Sequence, residues 1–189
     1  MHPDYSNYFW QGEVIRLRPV RVEDAKRNFL ASLDSPSRQV LQLGIELPSS
    51  PELEEKAMEK YADCKGVNGT IVFAIETHDG EFVGGLSLHS LDEKNGHFSF
   101  GVIVHRDHWS CGYAEDAVRI LLRYGFHERR FQKCNSACIA DNNASIRLHQ
   151  KLGFKQEGRR RQQVFFNGIY HDEVLFGLTR DEFDAQGQQ

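Results

Sequence analysis

Asn142, Ser145 and His149 lie three and four residues apart within DNNASIRLHQKLGF, residues 141–154. On a helix turning about 100° per residue they fall within about 60° of one another. Leu148 and Leu152 complete that face, while Arg147, Gln150 and Lys151 point away. Polar groups on a face that should be buried can hydrogen-bond an amide- and hydroxyl-bearing ligand, and a histidine there can move a proton. The same residues also have a packing account: Asn142 as a helix N-cap, Ser145 as a tolerated small residue, His149 as a satisfied ring. A second stretch, SCGYA at 110–114, closes a strand-like run and opens a helical one. Small residues there let a ligand approach the backbone, and the unpaired N–H groups of a helix start suit a phosphate or pyrophosphate. Gly112 could equally serve only the turn, because one glycine without a phosphate-binding lysine is a weak motif.

These residues need elements to hold them. After an irregular lead-in at 1–12, residues 14–18 alternate and stop at Pro19, as a first strand does. Glu23 and Asp24 open a helix to about Leu33, and Ser50-Pro51 opens a charged helix toward Cys64, with a Ser/Pro-marked region between them. Strand signals follow at 70–76, 81–89 and 97–105, joined by turns at Asp79-Gly80 and Asn95-Gly96. A helical pattern runs from Gly112 to about Arg129, then a strand near 131–140, the helix of the opening stretch, and a closing hairpin turned at Asn167-Gly168. A strand–helix–strand crossover makes neighbouring strands parallel. Residues 97–105 and 133–140 should therefore pair in parallel inside a mostly antiparallel sheet, with a ligand crevice at their carboxyl ends. The expectation is one α/β domain over 1–189, a mixed sheet with one central parallel pair flanked by helices.

Composition excludes other classes. The 189 residues carry a net charge of −4, without the basic excess of a nucleic-acid-binding domain. No apolar run approaches the roughly 20 residues that span a bilayer, and the N-terminus lacks the marks of a signal peptide, so a cytoplasmic protein is expected. Cys64, Cys111, Cys134 and Cys138 then read as free thiols, and neither cysteine nor histidine spacing suggests a metal. A homo-oligomer is compatible with the sequence.

WSCGYAEDAVRILLRYGF resembles the cofactor-binding motif of the GNAT N-acetyltransferase superfamily, (Q/R)-x-x-G-x-(G/A). Asn142-x-x-Ser145 followed by LHQKLGF resembles that superfamily's second motif, and the FFNGIYHDEVLFGLT hairpin is similar to the ribosomal-protein N-terminal and spermidine acetyltransferase branch. The likeness runs from residue 15 to 183 and is weak over 24–65. It implies the GNAT fold and an acetyl-CoA-dependent transfer to a primary amine: a protein N-terminus, a polyamine or another small amine. It also implies that backbone groups of Val102, Ile103 and Val104 pair with the pantetheine arm and polarise the acetyl carbonyl. The segment Trp109, Ser110, Cys111, Gly112, Tyr113 and Ala114 would receive the pyrophosphate, Asn142 and Ser145 would contact the pantetheine or order its loop, and Lys151 and Arg147 would border the adenosine phosphate.

Three residues depart from the family pattern. Trp109 takes the place of a glutamine or arginine, Ser99 that of a glutamate base, and His149 that of a tyrosine that protonates the leaving thiolate. His149 is then either a proton donor, directly or through water, or a packing substitute. Amine deprotonation would run through water, with His97 or Glu81 as candidate helpers. Glu46 and the acidic stretch 52–55 could attract a cationic amine, although the second also reads as a solvated helix face. The departures leave one alternative of another class, a non-catalytic acyl-CoA-binding or sensing domain. A kinase-like phosphate enzyme lacks its Gly-Lys-Ser/Thr signature.

Overall fold

The structure is a computed structural model that describes residues 4–41, 47–64 and 66–186. Among the described residues seven strands form one sheet in the order β1-β2-β3-β4-β5-β7-β6. Alternation in IRLRP gives β1 (Ile15–Pro19), which buries Ile15 and Leu17. It pairs with β2 (Ile71–Thr77), and β3 (Phe82–Asp92) and β4 (His97–Val104) complete an antiparallel meander. The crossover helix α4 (Tyr113–Arg123) leads to β5 (Lys133–Ile139), and β4 and β5 are the parallel pair expected from the sequence. β6 (Lys155–Phe166) and β7 (Ile169–Thr179) form the closing hairpin, β7 lying against β5. Helix α5 (Asn143–Lys151) joins β5 to that hairpin.

Before β2 the chain forms α1 (Asp24–Ser32), α2 (Ser35–Val40) and α3 (Pro51–Tyr61). The Ser50 hydroxyl accepts from the Leu53 N–H and Pro51 opens the first turn, as the sequence indicates. α2 falls inside the Ser/Pro-marked region where no element is expected. Asp34 caps it by accepting the Ser37 N–H and hydroxyl. A last helix, α6 (Arg180–Gln186), follows β7 unexpectedly; Thr179 and Glu182 each bond the other's backbone N–H, a reciprocal cap. The long helix expected to reach Arg129 ends earlier: α4 closes at Arg123 and the chain continues as a wider π turn over Tyr124–Glu128.

α4 supplies much of the core by burying Ala117, Val118, Ile120, Leu121 and Leu122 beneath Leu86, Leu88 and Phe98 of the meander. The irregular lead-in is fastened to that core. Trp10 stacks on Phe73 at 5.1 Å, and the Asp116 carboxylate accepts the N–H groups of Glu13, Val14 and Ile15. Asp116 thereby ties the first turn of α4 to the start of β1.

Candidate active site

β4 and β5 pair only at His97/Lys133, Phe98/Cys134 and Ser99/Asn135. Both strands continue, β4 to Val104 and β5 to Ile139, but they diverge. The gap opens a cavity of about 510 Å³ at the carboxyl end of the parallel pair. Phe100, Gly101 and Val102 form one wall, and Ser136, Ala137 and Cys138 the other; Asn142, Ser145, Leu148 and His149 of α5 and its cap close the back.

Hydrogen-bond alternation decides which backbone groups face the gap. The His105 N–H donates to the Val83 carbonyl at 2.9 Å, and the register runs unbroken from Gly84/Val104 to His89/Ser99. In an antiparallel ladder successive residues turn their N–H and C=O to opposite sides. Phe100, Val102 and Val104 therefore face the gap. Ile103 does not: its backbone groups turn to Gly85 of β3, which corrects the expectation that three consecutive residues offer theirs to a ligand. The Val104 carbonyl is also engaged, accepting the Trp109 indole N–H at 2.7 Å, so its N–H is the group left for a ligand.

Beyond β4 the loop passes through Ser110 (φ 64°) and Gly112 (φ 82°) into α4. The first helical bond runs from Asp116 N–H to Gly112 C=O, so the preceding N–H groups have no partner within the helix. A Cβ placed on Gly112 would meet nothing within 4 Å, so the left-handed backbone, not crowding, is what favours glycine, and the space beside it is open. Val102, Asn142, Ser145 and His149 line the cavity, whereas Ile103, Val104, the segment 109–114 and Lys151 lie outside its lining. Lys151 still reaches the start of α4: its Nζ is 3.6 Å from Glu115, which also holds Arg119 at 3.0 Å. Arg147 is exposed.

The polar face of α5 is both packed and directed at the cavity. Asn142 caps the helix by accepting the Ser145 N–H at 3.0 Å. His149 is 3 % exposed and stacks on Phe176 with centroids 4.5 Å apart and planes at 11°. Its Nδ1 lies 2.7 Å from the Ser145 carbonyl and its Nε2 2.8 Å from the Ser136 hydroxyl. Burial holds its pKa below the ordinary histidine range, partly offset by the Ser145 carbonyl, so the ring is neutral near pH 7.

Of the groups considered for amine deprotonation, His97 faces Asp92 at 3.5 Å and Glu81 faces His108 at 3.2 Å; neither lines the cavity. Ser99 does line it, together with His89, which the sequence reading missed. β3 carries one extra residue between His89 and Asp92, a bulge of the kind that re-aims side chains. A Cβ on Gly101 would lie 2.9 Å from Ser87 Oγ, so the bare glycine makes room for Ser87; His89 Nε2, at 3.9 Å, is at ordinary contact distance beside it. Burial lowers the pKa of His89, and a bond to the Phe100 backbone partly restores it. No sequence signal marked His89: the glycine inside the strand-like run FSFGVIV marks the close approach of Ser87.

The described acidic residues that could attract a cationic amine do not line the cavity. Glu52 and Glu55 are exposed on α3, Glu54 accepts from Asn28, and Glu46 lies outside the described residues. Cys64, Cys111, Cys134 and Cys138 are free thiols, and among the described residues no group of three histidine, cysteine or acidic side chains is arranged to hold a metal. No described helix is long and apolar enough to cross a membrane.

Comparison with known proteins agrees with this geometry. Residues 15–155 match the acetyltransferase (GNAT) domain family. The uncharacterized N-acetyltransferase YokL of the SPbeta prophage in Bacillus subtilis (strain 168) is 32% identical over 178 residues, covering 93% of this chain and 96% of that protein. The spermidine N(1)-acetyltransferase of Escherichia coli (strain K12) is 23% identical over 177 residues, covering 91% and 89%. Among solved structures, spermidine N-acetyltransferase from Vibrio cholerae in complex with CoA and spermine superposes with a TM-score of 0.76 at 19% identity, covering 89% of this chain and 97% of that one. Divergent parallel strands, a left-handed glycine at the helix start and this match over most of the chain lead to one conclusion: the protein belongs to the GNAT family of N-acetyltransferases.

Proposed function

We propose that the chain, as one domain, transfers the acetyl group of acetyl-CoA to a primary amine of the small-amine, polyamine or peptide N-terminal class. The observation that carries this reading is the gap between β4 and β5, which presents unpaired backbone groups beside two buried or half-buried histidines. The residues present fit acetyl-CoA. The N–H and C=O of Val102 and the N–H of Val104 would pair with the amide-bearing pantetheine arm, and the Val104 N–H would polarise the acetyl carbonyl. Trp109 holds the loop by its bond to the Val104 carbonyl. Backbone N–H groups from Ser110 through Cys111, Gly112, Tyr113 and Ala114 would receive the pyrophosphate, with Lys151 as a nearby cation. Asn142 and Ser145 order the far wall. Bound there, acetyl-CoA supplies an activated acyl group on a thiol leaving group.

An amine reaches the site as an ammonium ion and must lose a proton before it can attack. His89, neutral near pH 7 and lining the cavity, is placed to take it, with Ser99 beside it to hold a water. The test is direct: calorimetry with acetyl-CoA, then thiol release with spermidine, a peptide with a free N-terminus and an amino sugar. Binding with release of thiol for at least one amine is expected. The absence of a carboxylate from the described cavity lining favours one second reading, a non-catalytic acyl-CoA-binding domain. Tight binding without thiol release from any amine would select it.

A further inference from the structure

The bonds around His149 fix the direction of a proton. A carbonyl oxygen only accepts, so the 2.7 Å contact with the Ser145 carbonyl places the proton of neutral His149 on Nδ1. Nε2 then carries a lone pair, and the 2.8 Å contact with Ser136 must run from the serine hydroxyl to the ring. Turning the ring over by 180° would keep its plane, and so its stack on Phe176, but would bring ring carbons to both contacts and forfeit both hydrogen bonds. With its own proton committed to His149, Ser136 turns oxygen lone pairs toward the cavity it lines. In the resting state the pair therefore accepts protons from the cavity and does not donate them. That changes the role of His149 from a donor facing sulfur to the far end of a two-residue chain.

We propose that Ser136 and His149 form a relay that carries a proton from the acceptor nitrogen to the departing sulfur. The relay rests on the amine-acetylation reading above. A primary amine that enters as an ammonium ion loses two protons on becoming an amide. The first frees the lone pair for attack and leaves through His89 or water. The second is still on nitrogen after the C–N bond has formed. It passes to Ser136 Oγ while the serine's own proton moves to His149 Nε2, leaving an imidazolium. As the C–S bond breaks and its electron pair goes to sulfur, the movement reverses: Ser136 protonates the thiolate and His149 returns to neutral. One N–H and one C–S bond are exchanged for one C–N and one S–H bond, and nothing is oxidised or reduced. Phe100, Phe154 and Phe176 around the ring make the imidazolium short-lived and favour return of the proton. Ser136 is the catalytic member; His149 acts through it.

Two measurements on the full chain test the relay. Nitrogen NMR of His149 without any ligand should show a proton on Nδ1 and a lone pair on Nε2 near pH 7; a proton on Nε2 overturns the relay. In turnover with acetyl-CoA and an amine the protein accepts, Ser136→Ala should lower kcat by about 100-fold, as loss of a general acid–base group does, with KM for acetyl-CoA unchanged. The double variant Ser136→Ala/His149→Gln should be no slower than Ser136→Ala alone, because the two groups act as a unit. The bowed dependence of the wild-type rate on deuterium fraction should straighten in Ser136→Ala. Unchanged turnover in Ser136→Ala, or acetyl found on Ser136 by mass spectrometry of quenched protein, overturns the relay and leaves amine acetylation standing. Wild-type protein that releases no thiol with any amine removes the amine reading itself, and the relay with it.

Discussion

Replacing His105 with leucine should flatten the dependence of stability on pH. His105 ends the backbone ladder between β3 and β4, 4 % exposed, edge-on to Phe82 at 5.1 Å, with Nδ1 lacking a hydrogen-bond partner among the described residues. Burial, reinforced by the Arg27 charge and opposed by Asp107 and Asp24, lowers its pKa from 6.5 to about 4. The native state thus binds fewer protons than the unfolded chain at any pH between these values. Stability contributed by the neutral ring is fully present above pH 6.5, falls as the pH drops through that value, and levels off below about 4. At pH 5 the unfolded histidine sits about 1.5 units below its pKa while the native ring is still neutral, which at about 1.4 kcal/mol per unit costs about 2 kcal/mol. Urea unfolding near pH 7 and near pH 5, followed by far-ultraviolet circular dichroism, measures this. The wild type should lose about 2 kcal/mol more between the two conditions than His105→Leu. His89 and His149 are also held neutral by burial, but they are present in both proteins and cancel in the comparison. Equal losses in the two proteins would refute the reasoning.

Gly112→Glu should abolish acetyl-CoA binding by calorimetry, because it adds a carboxylate and backbone strain at φ 82° in the loop proposed to receive the pyrophosphate; normal affinity would remove the cradle from that loop. His89→Gln should lower kcat by about 100-fold and shift the acid limb of the pH–rate profile, which in the wild type lies below the ordinary histidine range; an unmoved limb would assign it to another group. Glu76 receives Arg16 at 2.7 Å and Arg18 in a buried cluster that Asp24 completes. Glu76→Ala should destabilise the protein by about 3–5 kcal/mol in urea unfolding, because it removes the carboxylate that Arg16 and Arg18 share and leaves only Asp24 against the buried Arg18; a loss under 1 kcal/mol, the scale of about one exposed pair, would show that the cluster is well solvated.

The parallel pair was legible because a single helix between two strands can carry the chain back along the sheet to start the next strand at the same end, and the crevice followed from it. Asn142, Ser145 and His149 were legible as a face because helical spacing brings them together. Their bonds were not: the sequence does not reveal that Ser136 would stand 2.8 Å from His149, since that contact joins a strand to a helix through the sheet's divergence. His89 escaped for the same reason: its bond to the Phe100 backbone joins one strand to its neighbour, just before a bulge in β3. α6 could have been found from Thr179-x-x-Glu182, whose reciprocal bonds are local. The assignment of Ile103 failed because strand alternation turns every second residue's backbone away, which a contiguous motif conceals.

The divergence of β4 and β5 leaves one sheet with two internal edges. One wing holds β1 to β4, the other β5, β7 and β6, and three paired positions join them at one end. Exposed edges normally invite any extended chain to add a strand. Here they sit inside the fold, where the Trp109 indole already takes the Val104 carbonyl and limits what can enter. An extended occupant with amide groups would act as a keystone between the wings, completing a ladder that the polypeptide leaves unfinished. Resistance to heat should then rise with the concentration of such an occupant, by mass action, even in variants that have lost all turnover.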